Sequence, residues 1–298
     1  MSTLNLYYKE SGIASPLSIS LSILSGAIIL LFCSFFYSLL IANLSFIYLN
    51  FLIVAAYGFI VCYTSRAFNM IFKIRNRKKS IVITIILALL AIYFQWISYI
   101  FIISFDELDP ALLFKEWDFF FNLLIRPDIF VSTMIDISNV GLWSIGASNG
   151  TTLKGVLLWA IWLGEAAIII YIAVKHYLNF ETIPFSEKDN KWFKKELLDF
   201  DFERVVYKKS FVEELLQNPS EAILNLKRGD GLRHSKISVF SSETEPRSLI
   251  TIDNIVITQR GKGKRDVTKV LEYYYIDNLH LSIIRSKFRT KTASIFDY

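Results

Sequence analysis

The chain has 298 residues, of which 53% are hydrophobic, and a formal net charge of +5. The apolar excess lies almost wholly before residue 177, which excludes a protein that is soluble throughout. Two cysteines inside apolar runs, Cys33 and Cys62, and three scattered histidines, His176, His234 and His280, offer no metal-ligand spacing, so no cofactor is expected.

Residues 1–16 read as a short cytoplasmic segment. Residues 17–176 follow as an α-helical membrane bundle of four transmembrane helices. Four apolar runs mark them: Leu17–Ala42, Phe46–Ser65, Ile81–Ser104 and Val156–Val174. A bilayer core about 30 Å thick needs roughly 20 helical residues, and each run is close to that length. Glu165 is the single charged residue within them. The first run is about twice the length of a signal-peptide apolar region and lacks a basic flank, so it is expected to stay in the protein as a helix. The first two spans meet near Asn43–Ser45 as a helical hairpin, and Ala55, Ala56 and Gly58 form a close-packing face.

Arg66, Lys73, Arg75, Arg77, Lys78 and Lys79 lie between the second and third spans without an acid among them, which predicts a cytoplasmic loop. Arg75, Arg77, Lys78 and Lys79 are candidates for contact with lipid headgroups or a partner. The connection after the third span carries Asp106, Glu107, Asp109, Glu116, Asp118, Asp128 and Asp136 and is expected on the outer side. Within it, about 105–150, two short amphipathic helices are expected at the outer interface, with Trp117, Phe120 and Trp143 on the interfacial surface. Four spans then leave both termini cytoplasmic.

Residues 177–298 change in composition to a small cytosolic α+β domain with an antiparallel sheet. Their 21 Lys/Arg against 18 Asp/Glu leave too little charge to argue for nucleic acid. Lys191–Phe200 and Ser210–Gln217 read as helices. Asn218-Pro219-Ser220-Glu221 reads as the capped start of a third, ended by Gly229. Lys236–Ser241, Ser248–Gln259 and Val267–Ile276 are rich in Ile, Val, Thr and Tyr and read as strands. Arg260, Lys262, Lys264 and Arg265 sit on the expected tip of the last hairpin, a second candidate contact for lipid or a partner; Asn278–Lys287 closes the domain as a helix.

An acid near the middle of a span marks a functional hypothesis by default. Insertion costs about 3 kcal/mol for a central charge, while the Leu, Ile and Val residues of the same span return roughly 3–6 kcal/mol. The helix therefore inserts without a salt bridge. Ile161, Trp162, Ile168 and Ile169 are its neighbours on the helix face, so a polar partner must come from another helix; Tyr93, Gln95 and Tyr57 lie at similar depth. The arrangement suits a proton- or cation-linked site, a subunit-locking contact, or a neutral carboxyl hydrogen-bonded within the bundle.

Tyr7-Tyr8-Lys9-Glu10-Ser11-Gly12 with Ser15-Pro16-Leu17-Ser18, Phe46-Ile47-Tyr48-Leu49-Asn50-Phe51, Leu158-Trp159-Ala160-Ile161-Trp162 and Asn190-Lys191-Trp192-Phe193 resemble a set of four-span membrane proteins of Bacteroidota to which no activity is assigned. The resemblance implies a bacterial inner-membrane location and supplies no catalytic residues.

The sequence thus points to a non-enzymatic inner-membrane protein acting in an assembly or signalling pathway through its cytosolic domain. Its expected partners are the lipid bilayer and a protein partner or further copies of itself. The alternative is a channel, transporter or ligand-regulated membrane-permeabilising effector, of the kind used in bacterial defence, that uses Glu165. No pair of acids, His or Cys falls close enough in sequence to suggest an enzyme.

Overall fold

A computed structural model of the chain describes residues 6–43, 47–105, 116–145, 151–258 and 264–292. The chain divides into two compact units: Gly12–Phe180, and a second in which the segment up to Ser11 joins the residues from Glu181 onward. The N-terminal segment is therefore part of the sheet-bearing unit, and the helical unit begins and ends a few residues outside the expected 17–176.

The helical unit holds α1 (Pro16–Asn43), α2 (Ile47–Ile71), α3 (Arg77–Ile103), α4 (Trp117–Ile125), α5 (Pro127–Val140), the short antiparallel pair β1 (Trp143–Ile145) and β2 (Thr151–Leu153), and α6 (Val156–Asn179). Four of these, α1, α2, α3 and α6, are long and apolar enough to cross a membrane. Local chemistry sets the boundaries. The Asn76 side chain caps α3 by accepting from the Lys79 N–H at 3.0 Å, and Pro127 opens α5 where its missing N–H costs nothing. Gly141, at φ 90°, ends α5 in a conformation a side chain rarely adopts. Leu30, Val61, Leu87, Ala91, Ile97, Leu158 and Ile169 fill the bundle core. At Gly58 a Cβ would lie 2.9 Å from the Ile172 Cβ, so the small residue lets α2 and α6 approach closely.

The second unit is built on a five-stranded antiparallel sheet in the order β8-β7-β6-β5-β9, with β5 (Lys194–Leu198), β6 (Arg233–Ser241), β7 (Arg247–Thr258), β8 (Lys264–Asp277) and β9 (Thr290–Thr292). A separate two-residue pair joins β3 (Phe185–Ser186) to β4 (Lys191–Trp192). Within Lys191–Phe200, expected as a helix, Lys191–Trp192 and Lys194–Leu198 are thus strand. Lys194–Leu197 pairs with Ser241–Ser238 of β6 and Glu196–Leu198 with β9, so pairing on both sides overrides a helical composition.

α7 (Lys208–Gln217), α8 (Pro219–Leu224) and α9 (Asn278–Lys287) cover one face of the sheet. Phe211, Leu215, Ile223, Leu281 and Ile284 from these helices meet Ile237, Val239, Ile250, Ile252 and Leu271, each such burial contributing roughly 1.5–3 kcal/mol. Asn218 caps α8 as expected, but the helix stops at Leu224 and not at Gly229. Gly229 serves another purpose: a Cβ there would collide with the Phe202 carbonyl, and its N–H donates to Asp201 O at 2.9 Å. The other face carries Phe193, Phe240, Leu249 and Tyr273, with Tyr8 packed against them. Tyr7 bridges Tyr274, the Tyr8 N–H donates to Tyr273 O at 2.9 Å and the Tyr275 N–H to Leu6 O at 2.9 Å, so the N-terminal segment extends the sheet beyond β8.

β7 and β8 pair from Arg247↔Asp277 to Thr258↔Lys264, as their β-branched and aromatic content predicts. A bulge sets Glu272 and Tyr273 against Thr251, and Tyr273 takes a φ of 48°. Arg265 and the backbone of Lys264 belong to β8; Arg260 and Lys262 lie outside the described residues.

Candidate functional site

Polar side chains inside an apolar bundle must find partners or remain costly. Among the described residues of the helical unit they form two hydrogen-bonded layers and line a recess. In the first layer, Ser34 of α1 and Tyr57 of α2 share a hydrogen bond of 2.6 Å, and the Tyr57 hydroxyl also donates to Ala91 O of α3 at 3.3 Å. Ser38 donates to the main-chain Gln95 O at 2.7 Å. The second layer centres on Asn69, which is 2% exposed. Ser22 donates to its Oδ1 at 2.9 Å, and its Nδ2 donates to the Tyr177 hydroxyl at 3.1 Å. Ser65 and Thr84 lie 2.7 Å apart beside it. Together these residues tie α1, α2, α3 and α6 to one another.

The recess lies between α1, α3 and α6 and is lined by Tyr37, Ile41, Gln95, Trp96, Tyr99 and Glu165. Its room for a water centre is about 10 Å³, at the threshold for one water molecule. Glu165 is half-buried, whereas Gln95 is 3% exposed. The Gln95 Oε1 is buried with no hydrogen-bond partner, as are the nearby Trp162 Nε1 and Ser98 Oγ. Trp96 and Trp162 meet edge to face at 4.7 Å between centroids and close one wall.

Of the four residues expected at one intramembrane polar site, Glu165 and Gln95 line the same recess. Tyr57 belongs to the Ser34 layer, with its ring 4.6 Å from that of Tyr37. Tyr93 does not join them: its hydroxyl donates to Leu123 O at 3.2 Å and Leu124 O at 3.1 Å, and its ring meets Phe130 edge to face. Similar depth in the sequence does not fix direction, and Tyr93 faces α4. Tyr37, Tyr99 and Asn69 were not singled out in the sequence. Their helical spacings, Tyr37 four residues before Ile41 and Asn69 four after Ser65, were the available signal.

The expected outer surface is described in part. Trp117, Phe121 and Ile125 form an exposed stripe at four-residue spacing on α4, while Phe120 is buried against Phe101. Phe120 is thus an anchor and not an exposed contact. Trp143 lies in β1, and its side chain is outside the described set.

The basic loop is held by its own chain. Arg77 donates to Leu178 O at 2.7 Å and so satisfies an end carbonyl of α6, Lys79 donates to Ala14 O at 3.3 Å, and the Arg75 N–H donates to Ile13 O at 2.9 Å. Lys78 is exposed. Arg66 sits over the Phe180 ring at 4.0 Å.

In the sheet unit, Lys195 and Glu181 form a mostly buried pair at 2.5 Å. Near them Asp253 is half-buried with an unpartnered Oδ1; burial first, then the Glu181 charge, pushes its carboxyl above the ordinary range. Asp189 is the opposite case. It accepts from the hydroxyls of Ser242 and Thr244 and from the Thr244 N–H, and these bonds hold its carboxyl down at about 2. Asp201 is lowered by Lys236, 2.5 Å away. Ser220 and His280 Nδ1 lie 3.0 Å apart, but the Ser220 hydroxyl donates to Asn218 Oδ1, the α8 cap, which makes the pair part of a helix end.

No protein-family model matches the chain, and neither the curated proteins nor the solved structures give a match.

Proposed function

We propose that the protein is a non-enzymatic component of a bacterial inner-membrane assembly or signalling pathway, with the four-helix unit anchoring a cytosolic sheet domain. The observation that carries this reading is the use made of the interior polar groups. Ser22, Ser34, Ser65, Asn69 and Thr84 are buried and hydrogen-bonded across helices, an arrangement suited to a rigid anchor more than to a hydrated path. Two observations support termini on one common side, and the first of them makes that side cytoplasmic. The α2–α3 loop is rich in Lys and Arg. Tyr8 precedes α1 and Tyr273 follows α6, yet the two pair in one sheet, and paired strands must share one side of a bilayer.

The Trp117, Phe121 and Ile125 stripe favours a seat at the outer interface, where a tryptophan ring sits between headgroups and acyl chains. Native mass spectrometry of the protein extracted from its own membrane in mild detergent tests the proposal. A defined oligomer or a stoichiometric partner supports it, and a lone monomer counts against it. A second reading, a channel, transporter or permeabilising effector that uses Glu165, draws on the recess beside Gln95; ion flux in liposomes that responds to Glu165→Gln would favour it.

A further inference from the structure

Three consecutive cations open α3, and two of them are tied to other helices. Arg77 donates to Leu178 O at the end of α6 at 2.7 Å, and Lys79 donates to Ala14 O ahead of α1 at 3.3 Å. Lys78 stands between them, exposed, and its side chain has no partner among the described residues. The first turn of α3 carries no acid. We propose that Lys78 heads a groove for one anionic phospholipid of the cytoplasmic leaflet, its phosphate against Lys78 and an acyl chain along the exposed face of α3. This rests on the reading of the helical unit as a membrane anchor with a cytoplasmic α2–α3 loop.

Helical spacing defines the face. Val82, Ile85 and Leu89 follow Lys78 by four, seven and eleven residues, which returns each to the same side of a helix with about 3.6 residues per turn. They are 55%, 37% and 54% exposed. Ile83, Leu87 and Ala88 turn into the core, so the exposed strip is narrow. Arg77 and Lys79 leave the helix about 100° to either side of Lys78. The strip thus lies between the sides of α3 that reach α6 and α1.

Its length matches one leaflet. From Lys78 to Leu89 the helix rises about 16 Å, roughly half of a 30 Å hydrocarbon core. The strip stops where α4 meets α3: Tyr93, four residues beyond Leu89, donates to Leu123 O and Leu124 O. A single acyl chain fills such a strip from headgroup to midplane.

Charge selects the headgroup. An anionic phosphate meets Lys78 with two further cations beside it and no acid in that turn, whereas a zwitterionic headgroup brings a cation of its own toward them. A soluble phosphate gains nothing from Val82, Ile85 and Leu89, so the occupant is a lipid.

The first test is native mass spectrometry of the full chain, wild type and Lys78→Gln, released from micelles holding equal amounts of dioleoylphosphatidylglycerol and dioleoylphosphatidylcholine. The wild type should carry one phosphatidylglycerol several times more often than phosphatidylcholine, and Lys78→Gln should lose that preference; its exposed position leaves the fold intact. Equal retention of the two lipids overturns the proposal, as does a preference that survives Lys78→Gln. Neither result bears on the number of protein chains in the assembly, which the same spectra read separately. The second test needs no variant. Acetylation of Lys78 by a water-soluble succinimidyl ester, mapped by mass spectrometry, should slow severalfold in phosphatidylglycerol relative to phosphatidylcholine, while the exposed Lys175 keeps its rate. Equal slowing at both lysines means a general surface potential, and equal protection by glycerol phosphate means that a free phosphate suffices; either overturns the groove.

Discussion

The main-chain N–H of Tyr8 donates to the Tyr273 carbonyl across 2.9 Å, joining the first described residues of the chain to its longest strand. The pairing is reinforced by side chains. Tyr7 meets Tyr274, and Tyr8 meets Tyr273, edge to face at 5.6 and 6.2 Å, and the Phe185 N–H donates to the Tyr8 hydroxyl at 3.0 Å. Tyr8→Pro removes the N–H and the phenol ring together. A lost hydrogen bond is worth about 1 kcal/mol and a lost aromatic pair roughly 0.5–1.5 kcal/mol, so the sheet unit should lose about 2 kcal/mol. Hydrogen exchange reads this locally: the Tyr275 amide, which donates to Leu6 O, should exchange faster in the variant, while amides of α3 keep their protection. Unchanged exchange at Tyr275 would mean that the segment does not hold β8 in solution.

Asn69 is the centre of the second polar layer, with Ser22, Ser65 and Tyr177 around it at 2.9, 3.4 and 3.1 Å. Hydrogen bonds between helices in lipid average about 0.6 kcal/mol and reach roughly 1.7 kcal/mol. Asn69→Ala should therefore destabilise the helical unit by about 2 kcal/mol. A double-mutant cycle with Tyr177→Phe, read by unfolding in mixed micelles, should give a coupling of about 0.6 kcal/mol. Strict additivity would show that the Asn69 to Tyr177 bond contributes nothing.

Two aspartates of the sheet unit should move stability with pH in opposite senses. Asp189 is held at about 2, below the ordinary value of 3.8, by the Ser242 and Thr244 hydroxyls first. A depressed carboxyl contributes stability that is fully present above 3.8 and is lost as pH falls toward 2. Asp253 is raised by burial, so the folded chain keeps its proton longer than the unfolded chain does. Its penalty is absent below 3.8 and grows as pH rises through the raised value. Asp189→Asn should lower the unfolding midpoint at neutral pH and Asp253→Asn should raise it, with both differences shrinking in acid. Thermal unfolding across pH checks the signs, and a destabilised Asp253→Asn at neutral pH would contradict the second.

The elements most legible in the sequence were those whose signal is local. Long apolar runs predicted the four long helices to within about six residues, and stretches rich in Ile, Val, Thr and Tyr predicted β7 and β8. What escaped depends on partners far away in the chain. Lys194–Leu198 has a helix-compatible composition and becomes strand because β6 and β9 flank it. Tyr7 and Tyr8 look like a polar leader until β8 offers them an edge. The recess was half legible: Glu165 stood out as a charge within an apolar run and Gln95 as a polar residue in another. Tyr37 and Tyr99 are common in apolar helices and gave no signal until three helices were brought together.

Tyr93 shows how direction, more than depth, decides a role, and it supplies the last prediction. Its hydroxyl donates to the carbonyls of Leu123 and Leu124, two of the last-turn carbonyls of α4 that have no partner within their own helix. Tyr93→Phe keeps the ring against Phe130 and removes only the one hydroxyl donor that the two carbonyls share. The cost should be about 1 kcal/mol, the typical net worth of one lost hydrogen bond. It should fall on α4 and α5 alone, because the Ser34 to Tyr57 and Asn69 layers are untouched. Hydrogen exchange should therefore quicken at the Arg126 amide, which donates to Asn122 O at 2.8 Å at the end of α4, and remain slow across α3. If α3 loosens equally, Tyr93 supports the bundle core; if neither region changes, water replaces the hydroxyl at no cost and α4 is held by Phe120 and Leu123 packing alone.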